Sequence, residues 1–167
     1  MGKILSLIVS IAVVLSVVSC KKKEEPAPIA PATEGPGVMM PSQPMQIVVP
    51  DNVKGAWSSV KITIEDKPAK TLKDVIIKIG SEYKVPGSNL NIKVGAFLPD
   101  FKMEGAFITS ASNQPNQPAV AVRVLDGDKQ IFPEPGKDWG WLFSKLPAIH
   151  PFQHERFMLS LKEGIKG

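Results

Sequence analysis

The residues of this chain with the widest chemical reach are few: two histidines, one cysteine and six methionines in 167 residues. His150 and His154 lie four apart, a spacing at which two imidazoles can share a metal or a haem iron. Pro151 works against that reading, because the residue before a proline is pushed out of the helical region and the two rings then do not share a helix face. Two imidazoles also leave a coordination shell incomplete, and Glu155 is the carboxylate beside them in sequence. The other reading is a pair of hydrogen-bonded or surface histidines. Met39, Met40 and Met45 could offer soft thioether sulfurs to copper(I), or simply belong to a flexible linker. No Gly-x-Ser-x-Gly elbow, phosphate-cradling glycine loop or His-Glu-x-x-His is present. A small hydrolase would need a Ser-His-Asp set assembled only in space, so the chain reads as a non-enzyme, with no catalytic residue and no cofactor to assign. A haem- or metal-handling accessory protein using His150 and His154 is one alternative to that reading, and the small hydrolase is another.

Cys20 belongs to a different chemistry. It follows Val17-Val18-Ser19 at the end of a run, Ile4 to Val18, that is apolar apart from small serines and is preceded by Lys3. This is the order of a secretory signal, and the run is too short to cross a bilayer comfortably. The junction resembles the cleavage site of bacterial lipoproteins, which implies a signal peptide over residues 1–19 and covalent lipid, palmitate included, on the sulfur and amine of Cys20. Two or more acyl chains make a durable membrane anchor where one gives marginal binding. By the same resemblance Lys21, standing where an aspartate marks inner-membrane retention, implies the outer membrane, facing the periplasm. Two further readings fit the start of the chain. Met1-Gly2-Lys3-Ile4-Leu5-Ser6 matches the myristoylation pattern, and the apolar run could remain as an uncleaved signal anchor. Either would leave Cys20 an ordinary thiol. With Cys20 assigned to lipid, the rest of the chain has no thiol for a disulfide, a zinc ribbon, iron–sulfur ligation or covalent haem attachment. The fold must rest on its hydrophobic core.

These residues need elements to hold them. Residues 20–45 read as a disordered tether: Lys21-Lys22-Lys23-Glu24-Glu25, then Pro26, Pro28, Pro31, Pro36, Pro41 and Pro44 among small side chains. At about 3.1 Å per residue such a segment reaches up to roughly 75 Å, and Lys21 to Lys23 can rest on acidic head groups. Residues 46–167 are long enough for one domain and too short for two substantial cores. Val60-Lys61-Ile62-Thr63-Ile64-Glu65 and Leu90-Asn91-Ile92-Lys93-Val94 alternate apolar and polar residues, the period of a strand with one buried face. Val75 to Ile79 and Ala119 to Leu125 are rich in β-branched residues. Asp126-Gly127-Asp128 between the second of these and Gln130-Ile131-Phe132 predicts a hairpin. No window keeps helical spacing over three turns. The expected fold is all-β, an antiparallel sandwich or small barrel of seven to nine short strands.

Removing Lys3, Lys21, Lys22, Lys23, Glu24, Glu25 and Glu34 from the chain's 20 basic and 16 acidic residues leaves 16 and 13 in the domain, a charge of only +3. Lysines at 61, 73, 78, 84, 93 and 102 recur within or beside strand-like runs, which fits a solvated face and protected edges rather than a nucleic-acid stripe. The densest functional signal is C-terminal: Trp139, Trp141, Phe143, His150, Phe152, His154, Arg156 and Phe157 fall within nineteen residues. The first reading is a final strand pair closing the core. The second is a surface for an envelope protein partner, with Trp139, Trp141, Phe143, His150, Phe152, His154 and Arg156 as contact residues.

Val48-Val49-Pro50-Asp51-Asn52-Val53-Lys54-Gly55, Gly87-Ser88-Asn89-Leu90-Asn91-Ile92-Lys93-Val94, Phe97-Leu98-Pro99-Asp100-Phe101, Gly140-Trp141-Leu142-Phe143 and His150-Pro151-Phe152-Gln153-His154 together resemble a domain of unknown function found in proteobacterial envelope proteins. That resemblance covers nearly all of the domain and implies an envelope location with no activity or catalytic residues to transfer. A fainter similarity, carried by Phe97 to Phe101, the Asn116-Gln117-Pro118-Ala119 step and the Trp-Leu-Phe ending, links the chain to the extracytoplasmic part of ResB-type cytochrome c maturation proteins and implies haem delivery. In this chain Gln117 interrupts the Asn-Pro-Ala step, and the several membrane spans of that family are not present in the sequence. If lipid on Cys20 is the anchor, Cys20→Ala moves the protein from the membrane to the soluble fraction, as read by fractionation and immunoblot.

Overall fold

The computed structural model describes residues 45–149 and 151–167. Cys20, Lys21, Met39, Met40 and His150 lie outside the described residues. The described chain is all-β, with eleven strands: β1 (Gln46–Ile47), β2 (Trp57–Asp66), β3 (Thr71–Lys78), β4 (Glu82–Lys84), β5 (Leu90–Leu98), β6 (Phe101–Glu104), β7 (Phe107–Ser110), β8 (Ala119–Asp126), β9 (Lys129–Phe132), β10 (Gly140–Phe143) and β11 (Phe157–Lys166). The count exceeds the expected seven to nine because β1, β4, β6 and β7 run for only two to four residues. Segments that short complete too few alternations to show a period in sequence.

The strands form a sandwich and no sheet closes into a barrel. One sheet has the order β11-β2-β3, the second has β10-β8-β5-β4 with β9 also on β8, and a third small one has β1-β7-β6. Neighbours pair antiparallel except β1 on β7. Alternation decides which side chains meet. Val60, Ile62 and Ile64 of β2, Val75 and Ile77 of β3 and Leu159 and Leu161 of β11 face Leu90, Ile92 and Val94 of β5, Val120, Val122 and Val124 of β8 and Leu142 of β10 in one continuous core. The predicted hairpin is present: Asp126 pairs with Lys129 across Gly127-Asp128, and Gly127 takes φ +59° at the first turn position, the backbone hand that suits a twisted two-residue connection.

Two local devices set the second face of the middle sheet. The β5–β8 register shifts between Val94 and Phe97, so Phe97 turns into the core and Leu98 to the opposite side. Beyond it, the loop before β8 is fastened to Asp100. Its backbone N–H donates to Ser110 Oγ at 2.9 Å, and its carboxylate accepts from Ser112 Oγ at 2.7 Å and Asn116 Nδ2 at 3.1 Å. These bonds hold β6 and β7 over the outer face of β8 and β10, where Phe101 meets Trp141 and Phe143 edge-on, ring centres 5.0 Å apart in each pair.

Phe97 is seated by an absence. A Cβ at Gly164 of β11 would overlap the Phe97 ring and come within 2.9 Å of Trp57 Cε3. Replacing a strand glycine normally stabilises by trimming unfolded-state freedom. Gly164→Ala is expected to do the reverse, lowering stability by about 1–3 kcal/mol through overpacking, as measured by urea unfolding.

Candidate functional site

The stretch from Trp139 to Phe157 crosses from one sheet of the sandwich to the other. β10 pairs with β8 and β11 pairs with β2, so the expected final strand pair is not a hairpin but the last strand of each of two sheets. Residues 144–156 bridge them, and the seven contact residues expected from the sequence separate into two groups.

The first group lies on the outer face of the middle sheet. Gly140 is opposite Val122 and Trp141 opposite Ala121, which directs Leu142 into the core and Trp141 and Phe143 outward. Trp139 covers Gly95, where a Cβ would stand 2.8 Å from its Cζ3. The Arg123 guanidinium lies 5.3 Å from the Trp139 ring centre, held there by Asp138, whose carbonyl accepts from Nε at 2.9 Å and whose Oδ1 accepts from Nη2 at 3.1 Å. Phe143 is buried under Phe101, whereas Trp139 and Trp141 are half-buried.

The second group packs where the chain enters β11. Phe152 is 2% exposed and meets Phe132 edge-on at 5.7 Å, so it is core. His154 is stacked between Phe152 (5.9 Å) and Phe157 (5.7 Å). Its Nδ1 accepts from the backbone N–H of Arg156 and of Phe157, each at 3.1 Å. That pattern is the one a short Asn side chain makes at a turn, and it assigns the ring proton to Nε2. A metal bound at Nε2 would require Nδ1 to carry the proton instead, losing both bonds. No hydroxyl or carboxylate bonds this ring among the described residues, so His154 is not part of a Ser-His-Asp relay there. His150 lies outside the described residues. No cluster of three or more His, Cys, Asp or Glu side chains is poised around a common point among the described residues.

Arg156 is equally occupied. Its Nε and Nη2 donate to Asp66 Oδ2 at 3.0 and 2.7 Å, its Nη1 to the Gly87 carbonyl at 3.2 Å, and its guanidinium lies 4.7 Å over Phe157. The hydrogen bond from Arg156 holds the Asp66 carboxyl below its ordinary range, and the same bond raises Arg156. Lys67 completes the clamp, its Nζ donating to the His154 carbonyl at 2.7 Å. Lys67, Phe152, His154, Glu155 and Met158 line an open groove of about 580 Å³. A second crevice, between Trp141 and Leu159, holds about 10 Å³, room for a water at most. The first is open to solvent and the second is too small for a metabolite.

Sequence reasoning overlooked Leu146 and Ile149, which are 41% and 43% exposed in the bridge. Ile149 lines the crevice beside Trp141, and its N–H donates to the Leu146 carbonyl at 3.1 Å, which fixes both in one turn. The signal was available in Leu146-Pro147-Ala148-Ile149, a hydrophobic pair around a proline where a solvated loop would carry polar residues. No protein-family profile, characterised protein or solved structure matches the chain.

The turn role of His154 can be separated from a ligand role. His154→Ala is expected to lower stability by about 1–2 kcal/mol, while His154→Asn, which restores an acceptor for the two N–H groups, keeps most of it. Paired urea unfolding curves give the comparison, and equal losses in both variants would exclude the turn role.

Proposed function

We propose that this chain is a lipid-anchored, non-enzymatic binding or assembly module of the bacterial envelope, held through Cys20 at the outer membrane and facing the periplasm on its proline-rich tether. The signal-like run before Cys20, the low-charge thiol-free domain and the resemblance to envelope domains of unknown function support the placement. The observation that carries the binding reading is the pair Leu146 and Ile149, exposed beside half-buried Trp141 at the outer edge of β10. Aliphatic anchors next to an indole form a surface that gains by covering. The crevice at this surface holds about 10 Å³, and this favours a protein partner over a small metabolite, which needs a concave site.

Leu146 and Ile149 have about two-fifths of their surface left to cover, which contributes about 0.6–1.2 kcal/mol each, so losing either anchor costs roughly three- to eightfold in affinity. A photo-crosslinking residue at Ile149, in intact cells, is expected to capture one reproducible envelope protein that the same residue at Lys129 does not. Leu146→Asp is expected to abolish the adduct without unfolding the domain. Identical adducts from both positions, or none from Ile149, would refute the proposal.

A further inference from the structure

On the far side of the sandwich, β3 is the outer strand of its sheet. The direction of its backbone follows from the register. The Ile79 N–H donates to the Ser58 carbonyl at 3.0 Å, and Lys78 lies opposite Ser59. Hydrogen-bonded pairs alternate along an antiparallel ladder, so the odd residues of β3 bond β2, and Leu72, Asp74, Ile76 and Lys78 turn their N–H and C=O groups away from the sheet. The same four side chains stand on the outer face with Lys61 and Thr63 of β2. Leu72 and Ile76 are 72% and 63% exposed, the two most exposed large hydrophobic residues among those described. The Lys78 carbonyl is taken by Ser81, whose N–H and Oγ donate to it at 3.1 and 2.7 Å, but its N–H is directed outward.

We propose that this edge pairs with the β3 strand of a second copy of the chain, antiparallel about a two-fold axis at Ile76. The independent basis is charge complementarity, since of the registers that keep the outward groups opposite one another only three engage at least three of Leu72, Asp74, Ile76 and Lys78. Centred on Asp74, the pairing sets two carboxylates face to face. Centred on Val75, it opposes Asp74 to Ile76 and Leu72 to Lys78. Centred on Ile76, it opposes Asp74 to Lys78 of the second copy twice and Ile76 to itself, so charge and apolar contacts are both matched. Ile76 exchanges two backbone hydrogen bonds with its equivalent, and each Lys78 N–H reaches the Asp74 carbonyl of the other copy. Asp74 is already fixed on this face by Thr63 Oγ1 at 2.8 Å and Lys162 Nζ at 2.6 Å, which leaves its carboxylate oriented for a further donor. Lys78 forms no ion pair within the described chain. The contact is isologous and closes on itself, giving one six-stranded sheet and not a fibre. It stands apart from the Leu146–Ile149 surface.

A hydrogen-bonded antiparallel pair sets both Cα and Cβ atoms about 5.5 Å apart, too far for an unstrained disulfide but within the span of a short bismaleimide. The full chain carrying Ile76→Cys, treated with a short bismaleimide in intact cells, is expected to run at twice its mass on a denaturing gel, relative to the unsubstituted chain. Leu72→Cys, which this register places opposite Gly80, is expected to stay monomeric. Added to Ile76→Cys, Lys78→Glu is expected to cut the dimer yield about fivefold and Lys78→Arg to preserve it. A monomeric Ile76→Cys chain, equal dimerisation of Leu72→Cys, an unchanged yield with Lys78→Glu, or an adduct of any mass other than twice the chain would each overturn the dimer.

Discussion

The rest of the structure depends on the double burial of β8. Residues Ala119 to Val122 are each 0% exposed, which for a strand means that both faces are covered. Valines point one way and alanines the other. The valines meet β2 and β5 side chains in the main core, where each contributes about 1.5–3 kcal/mol of apolar burial. The alanines leave the opposite face shallow enough for an aromatic layer to lie over it. β5, β9 and β10 all pair with this strand. With no thiol in the domain, nothing covalent supplements these contacts, and the order of small and branched residues in β8 sets the thickness of the molecule on both sides.

That arrangement explains why most of the C-terminal aromatics serve the fold. Phe143 and Phe152 are buried, and Trp139 is used to cover Gly95. His154 and Arg156, residue types that would suit a binding hot spot, fasten the crossing between the two sheets. Arg156 joins the β2–β3 turn to the Gly87 turn, and His154 closes the turn into β11. The exposed apolar surface, and with it the binding face proposed above, falls instead to the aliphatic residues of the bridge, because a segment that spans two sheet edges has neither sheet to bury its own apolar side chains.

The outer face of the β11-β2-β3 sheet follows another rule. Its pairs, Lys162 with Asp74 and Lys61 with Glu163, are solvent-accessible, so they contribute little to stability. They do fix the orientation of charged groups around exposed Ile76 and Leu72. Edge lysines usually keep a strand from pairing indiscriminately. In the proposed pairing of two β3 edges, the alternation of Asp74, Ile76 and Lys78 is what discriminates among registers, a stronger form of the same protection.

Sequence alone determined the all-β class, the long strands β2, β5 and β8 and the hairpin at Gly127, but missed the ten-residue β11. The alternation of Val60 to Glu65 and of Leu90 to Val94 is a local property of residue order, and an Asp-Gly turn is decided by the backbone freedom of one glycine. The aromatic concentration from Trp139 to Phe157 was equally plain. Only the tertiary structure decided what those aromatics do, because burial depends on which partner covers each face. Phe101, 42 residues away, buries Phe143, and Asp66, 90 residues away, occupies Arg156. The short strands β1, β4, β6 and β7 form for the same reason, through pairing with distant neighbours and not through any preference of their own few residues.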